Sequence, residues 1–401
     1  MASVSQLSAR LGGNPTVLAL SAARLGDAVG NSILFIVIPL YVAKLPAPWL
    51  PLPEPTRVGI LISMYGLIFS LLQPVGGALT DRAKNRKAVI LLGLGITGAG
   101  MLVFVAASRF SHLLLLRALQ GFGVALTIPA SLSIMASATD RSSRGGSMGI
   151  YTSMRMVGFS IGPVLGGYLL DHVGFDAAFY VGAGFIALAM VLVQAWVRES
   201  GDRDVSMEAR AKLAPSVWRS PVVPLGAATF VMAAAFSMLP TLEKQFNARL
   251  HQGAFGFGLA FSSLMLSRLL FQFPLGRLSD RIGRKPLVVG GLLLMGAVTA
   301  PLGLVATTAQ LTGLRVLQGI ASAGIAAPAF ALAADLSSRG GEGRQMSVIT
   351  MGFGLGIALG PLLAGVLAPL WFDLPFLLGG LSAIPAAWIV QRWVPETVSR
   401  S

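Results

Sequence analysis

The chain has 401 residues, 54% of them hydrophobic and only 11% charged, with a formal net charge of +14 and a mean hydropathy of +0.75. That balance lies outside the soluble range and marks an integral membrane protein, so the basicity reflects membrane topology and not nucleic-acid binding. With no cysteine, disulfides, thiolate metal sites and cysteine catalysis are excluded.

A bilayer crossing needs about 20 apolar residues. Such windows fall at 17–43, 57–79, 88–108, 112–137, 146–170, 176–197, 222–246, 254–275, 287–307, 309–334, 345–369 and 373–393, which predicts twelve spans. The first carries Arg24 and Asp27 and lacks a small-residue cleavage site, so it reads as a retained helix and not a signal peptide. If the N-terminus is cytoplasmic, 20 of the 30 Lys and Arg fall inside, five fall outside (Lys44, Arg57, Arg109, Lys244, Arg249), and five lie within spans. This positive-inside bias predicts a multi-pass protein of the cell membrane, inner or plasma, with both termini in the cytoplasm.

Prolines 46, 48, 51, 53 and 55 make the first external loop extended. Span two returns through Tyr65 to a cytoplasmic turn, Gly77-Ala-Leu-Thr-Asp81-Arg82-Ala-Lys84-Asn85-Arg86-Lys87. After span eight the turn recurs as Gly276-Arg-Leu-Ser-Asp280-Arg281-Ile-Gly283-Arg284-Lys285. The first copy holds one more residue, Lys84 and Asn85 standing where Gly283 stands alone, and Asn85 is the expected left-handed residue there.

Three further landmarks repeat 195 to 198 residues on: Arg117, Gln120 and Gly121 as Arg315, Gln318 and Gly319; Ser142 to Gly146 as Ser337 to Gly341; and the run Gly158, Gly162, Pro163, Gly166, Gly167 as Gly356, Gly360, Pro361, Ala364, Gly365. Gly158, Gly162 and Gly166, four residues apart, form a side-chain-free groove on one helix face into which a neighbouring helix can settle. Pro163 leaves the carbonyl of Phe159 without its helical donor and is expected to bend the helix. The duplication predicts an all-α membrane protein of two pseudo-symmetric six-helix bundles, 1–198 and 221–401, joined by a charged cytoplasmic linker at 199–220.

Asp27 is the only acid well inside a span. A charge there costs about 2.5–3.5 kcal/mol on insertion scales, so Asp27 is either half of a helix-packing ion pair with Arg24 or a site for a proton or cation. Asn31 and Phe35 extend its face. Glu243, three residues past Pro240 near the outer end of span seven, is expected to snorkel to water. Arg117, Arg155, Arg268 and Arg315 are the other charges at depth. Tyr65, Gln120, Arg155, Arg268 and Gln272, with Asn31 and Phe35, are candidates to line a substrate cavity. Asp81 and Asp280 end their helices where the dipole is negative and need a positive partner. Arg344 and Arg144 could supply it from the other half, making a conformational latch with Arg82 and Arg281; alternatively the residues merely cap their turns.

These residues together resemble the major facilitator superfamily, and within it the twelve-helix drug:proton antiporters. The Asp-Arg turns match its signature loop, fully in the second copy and with the Lys84/Asn85 departure in the first. Arg117 with Gln120 and Gly121 is similar to the span-four motif whose arginine is linked to proton movement. Gly158 to Gly167 is similar to the span-five motif associated with antiport, and Asp27 followed by Pro39 loosely matches the span-one pattern.

The resemblance implies proton-coupled export of small amphipathic or drug-like molecules by alternating access, with Asp27 and Arg117 in proton coupling. It also implies a proton gradient in place of any cofactor, no metal, a small-molecule substrate, and a monomer in the bilayer with no nucleic-acid partner. Export of a lipid or an anionic or zwitterionic metabolite is the alternative, favoured by the arginine excess; a non-transporting sensor is a third. No enzyme is implied, since the three histidines, His112, His172 and His251, fall at external loops and no carboxylate pair lies at depth.

Overall fold

The computed structural model describes residues 14–139, 143–199, 221–336 and 342–398, with the side chains of Arg144 and residues 342–345 outside the description. The linker at 200–220, most of the repeated Ser-Ser-Arg-Gly-Gly segments, and the side chains of the two latch arginines, Arg144 and Arg344, therefore lie outside the described residues. Among the described residues the chain is helical and has no strand. The helices are α1 (Pro15–Val42), α2 (Glu54–Arg82), α3 (Arg86–Phe104), α4 (Phe110–Ser137), α5 (Arg144–His172), α6 (Phe175–Trp196), α7 (Val223–Ser237), α8 (Glu243–Leu250), α9 (Ala254–Ile282), α10 (Arg284–Thr299), α11 (Thr308–Asp335), α12 (Glu342–Leu367), α13 (Leu374–Leu381) and α14 (Ala383–Trp393). Joining α7 to α8 and α13 to α14 leaves twelve long helical segments. Eleven are apolar enough to cross a membrane; α5, with 29 residues, is the other.

Local chemistry sets the helix starts. Asn14 accepts from the Thr16 N–H at 2.9 Å, and Pro15 occupies the first turn, where its missing donor is harmless. Asn85 does not adopt the expected left-handed conformation. Its φ is −134° and its side chain accepts from the Ala88 N–H at 2.8 Å, so the extra residue of the first turn serves as the N-cap of α3. Gly283, at φ +107°, makes the left-handed turn in the second copy.

The described residues divide into two compact units, one formed by those within 14–49 and 67–199 and the other by those within 50–66 and 221–398. In the first, α1 packs against α5 and α6, and α3 against α4 and α6. In the second, α7 packs against α12, and α11 against α9 and α10. The first part of α2, through Gly66, belongs to the second unit. There Thr56 Oγ1 donates to the Gly365 carbonyl at 2.7 Å, and a Cβ on Gly66 would lie 3.1 Å from the Cα of Ala358.

The glycines of α5 are the seat of α1. A Cβ on Gly158 would lie 2.5 Å from that of Ala28, one on Gly162 would overlap the Ser32 side chain, and one on Gly166 would lie 3.1 Å from the Ile33 carbonyl oxygen. Ser32 Oγ then reaches the Gly158 carbonyl at 3.2 Å. The second unit repeats the arrangement: a Cβ on Gly356 would lie 2.7 Å from that of Ala233, and Ser237 Oγ reaches the Gly356 carbonyl at 3.3 Å.

Gly162→Ala should therefore destabilise the first unit by about 1–3 kcal/mol, the usual cost of overpacking. Gly184→Ala, whose added Cβ would meet nothing within 4 Å, should be neutral or slightly stabilising. Thermal melts of the two variants in the same detergent check this.

Candidate functional site: a buried ion pair in the first unit

Helical spacing puts residues 24, 27 and 31 on one face of α1, and that face is turned inward: Arg24, Asp27 and Asn31 are all buried. Arg24 Nη1 lies 2.5 Å from Asp27 Oδ2. Asn31 Nδ2 donates to Asp27 Oδ1 at 2.7 Å and to the Asp27 carbonyl at 3.0 Å. Both carboxylate oxygens are thus engaged by groups of their own helix.

α5 supplies the other side. The Tyr151 ring lies 5.6 Å from the Arg24 guanidinium, and Arg155 is close enough to act electrostatically on Asp27. Arg155 also covers the Phe159 ring at 5.2 Å, and Phe159 meets Phe35 with ring centroids 5.7 Å apart. Asn31, Phe35 and Arg155 of the predicted cavity set therefore share one neighbourhood with Asp27.

The remaining candidates lie elsewhere. Arg117 and Gln120 are buried on α4, where Arg117 Nη1 donates to Gln120 Oε1 at 3.3 Å. Their counterparts repeat that bond: Arg315 donates to Gln318 Oε1 at 2.8 Å and to the Phe236 carbonyl at 3.2 Å, and covers the Phe261 ring at 5.2 Å. Gln318 in turn donates to Thr299 Oγ1 at 2.9 Å. Arg268 is buried over the Phe353 ring at 5.7 Å, and Gln272, one turn on, is half-buried. Tyr65 is half-buried on the part of α2 that belongs to the second unit.

Glu243 corrects an expectation. It does not snorkel but is fully buried. The 3-10 turn at Leu239–Leu242, itself buried, contains Pro240 in its first turn and changes the helical phase before α8 begins, so the first residue of α8 enters the interior. At a helix start its carboxylate also meets favourable backbone N–H dipoles.

At the turns, Asp81, Arg82, Asp280 and Arg281 are exposed. Asp280 finds its cation within its own unit: its Oδ1 is 3.3 Å from Arg284 Nη2, and Arg284 also pairs with Asp335 at the end of α11. Two carboxylates that sequence reasoning passed over complete these corners. Glu396 accepts from the backbone N–H groups of Arg284 and Lys285, at 3.1 and 2.9 Å, and from those of Thr397 and Val398. Glu199 accepts from the Lys87 N–H in the same manner. The signal was present, because Val197-Arg-Glu199-Ser and Val394-Pro-Glu396-Thr stand 197 residues apart as one more copy of the duplication.

Partial burial raises the Glu396 pKa, but its four backbone donors more than offset this and hold the carboxyl below its usual range. Such a group adds stability above its unfolded pKa and loses it as pH falls through the folded one. Glu396→Gln should lower the melting temperature at neutral pH, by about 1 kcal/mol at most for so exposed a cap. Wild type and variant should converge only once the pH has fallen below the ordinary carboxylate range, where Glu396 is protonated in both the folded and unfolded states.

The comparisons with known proteins fit this geometry. The Major Facilitator Superfamily profile matches residues 20–256 and 225–401, and the chain belongs to that superfamily. It is thus a multi-pass membrane transporter and not an enzyme. It is 28% identical to the multidrug resistance protein MdtG of Serratia proteamaculans (strain 568) over 349 residues, 83% of this chain and 84% of that one. It is also 28% identical to the MFS-type transporter YuxJ of Bacillus subtilis (strain 168) over 320 residues, 77% of this chain and 81% of that one. Among solved structures it resembles a bacterial homolog of the human lysosomal transporter Spinster in an inward-facing, occupied conformation, with TM-score 0.78, 18% identity and coverage of 94% and 95%. It likewise resembles a POT family transporter in complex with 5-aminolevulinic acid, with TM-score 0.80, 16% identity and coverage of 94% and 96%.

Removing one member of a buried ion pair leaves the other charge uncompensated, at about 3–5 kcal/mol, whereas replacing both by apolar residues of similar volume is far milder. Arg24→Met alone should therefore destabilise the protein strongly, and Arg24→Met with Asp27→Leu much less. Melting temperatures of the single and double variants measure the difference.

Proposed function

We propose that this transporter exports small amphipathic molecules in exchange for protons, with Asp27 carrying the coupling proton and Arg117 assisting. The observation that carries the reading is the Arg24–Asp27–Asn31 cluster. It is an ionisable carboxyl at depth, on the helix seated in the glycine groove of α5, and intramembrane acids are expensive enough to be kept for function. The multidrug name of the MdtG relatives supports the amphipathic substrate class.

On this reading the proton gradient is the energy source and no cofactor or metal is required. The bundles 1–198 and 221–401 rock about the linker in the cell membrane, with both termini cytoplasmic. Asp81, Arg82 and Arg344, and Asp280, Arg281 and Arg144, latch the turns. The protein works as a monomer on a small-molecule substrate and takes no nucleic acid. Protonation and substrate binding must be linked in free energy, or a gradient of one could not drive the other.

Asp27→Asn keeps the shape and holds the side chain neutral. In proteoliposomes it should abolish uphill accumulation of a cationic amphipathic dye driven by a pH gradient, while leaving downhill exchange measurable. Full gradient-driven accumulation would move the proton elsewhere, with Glu243→Gln as the next variant to assay.

A second reading, export of an anionic or zwitterionic metabolite or lipid, is favoured by Arg155 and Arg268. Each lies over a phenylalanine ring, a pairing that suits an anionic group with an apolar body. Running the same assay with an anionic dye separates the two.

A further inference from the structure

Beside Asp27 the first unit holds a small cavity. Its polar lining is Arg24 and Asp27 of α1, Thr127 and Ser131 of α4, and Tyr151 of α5, with apolar walls from α3 and α6. The space suits about one water molecule, which is stable when buried if two to four polar groups surround it. Tyr151 is buried, and among the described residues its hydroxyl finds no hydrogen-bond partner. The Ser21 hydroxyl, one turn before Arg24, is in the same condition. Buried hydroxyls in that state are costly and call for a partner.

The cavity also has a direction. Leu20 and Ala23 precede Asp27 on α1, Ile90 and Leu94 belong to the first half of α3, and Tyr151 lies early in α5. Thr127 and Ser131 lie late in α4, and Val193 lies near the end of α6. In helices of alternating direction all of these lie toward one surface, the one at which α1 begins.

We infer that this cavity is the proton antechamber of Asp27: one water, held between the Asp27 carboxyl and the Tyr151 hydroxyl, passes the proton between Asp27 and the surface where α1 starts. Tyr151 is a positioning residue here. The proton leaves the Asp27 carboxyl for the water oxygen, and the water releases one of its own protons to the next water toward the surface. Tyr151 keeps its proton and no electrons are transferred. The inference rests on Asp27 being the proton carrier.

The groups facing Asp27 are Arg24 and Asn31 on its own helix, Arg155 and Tyr151 on α5, and the Thr127 and Ser131 hydroxyls on α4; α3 and α6 offer Ile90, Leu94 and Val193, which do not titrate. During release Arg24 regains its ionised partner, which favours the loss of the proton.

The test uses the full chain in lipid nanodiscs, with time-resolved infrared detection of the Asp27 carboxyl band after a pH jump and no substrate present. Asp27→Asn identifies the band. Tyr151→Phe keeps the ring over Arg24 and removes only the hydroxyl; Ala23→Val keeps every polar group and fills the cavity. Both should slow the protonation change about tenfold or more, the scale on which positioned proton-transfer groups act, with melting temperatures near wild type. Unchanged rates in both variants, with the band present, would overturn the antechamber and leave Asp27 as carrier. Slowing in Tyr151→Phe alone would overturn the water and leave the hydroxyl acting directly. A wild type with no band lost in Asp27→Asn would overturn the carrier reading itself, and the antechamber with it.

Discussion

Each unit depends on the close approach of two helix backbones. In bilayer hydrocarbon the hydrophobic effect does not drive helices together, so association rests on van der Waals contact and interhelical hydrogen bonds, and both need small residues. Gly158, Gly162 and Gly166 admit α1 so closely that Ser32 reaches a backbone carbonyl of α5. Gly356 and Gly360 do the same for α7 and Ser237. That closeness in turn brings Tyr151 and Arg155 up to the polar face of α1.

On this shared frame the two units diverge in charge. Ser32 and Ser237 make equivalent bonds and stand 205 residues apart. By the same offset Thr229, Met232 and Phe236 occupy the places of Arg24, Asp27 and Asn31. The second unit has kept the packing and lost the ion pair. Thr229 spends its hydroxyl on the Ile349 carbonyl, and Phe236 meets Phe353, the counterpart of Arg155. Its fully buried Arg315 is compensated by a carbonyl, a glutamine and an aromatic ring, which satisfy part of the guanidinium without an acid. One unit thus holds a buried acid–base pair on this face, and the other packs a threonine, a methionine and a phenylalanine in its place.

The signature turns are built against the helix dipole. At the start of α10 the Glu396 carboxylate collects backbone N–H groups that a helix leaves unpaired, while Arg284 gathers Asp280 and Asp335 at the adjoining helix ends. Glu199 holds the start of α3, where Asn85 adds a side-chain cap. The one-residue difference between the turns follows: a positive-φ glycine closes one, and a capping asparagine with an extra residue closes the other.

Sequence alone determined the membrane class, the helical segments, the duplication and the glycine groove, because each is a periodic or compositional property carried by neighbours along the chain. It also placed Arg24, Asp27 and Asn31 on one face, since helical spacing is local. Tertiary structure decided what spacing cannot express. It turned Glu243 inward through a 3-10 turn that shifts the helical phase. It paired Asp280 with Arg284 inside its own unit, and it brought Tyr151, more than a hundred residues away along the chain, to the cavity beside Asp27. The partners of a buried group come from other helices, and only the packed arrangement fixes which side chains meet.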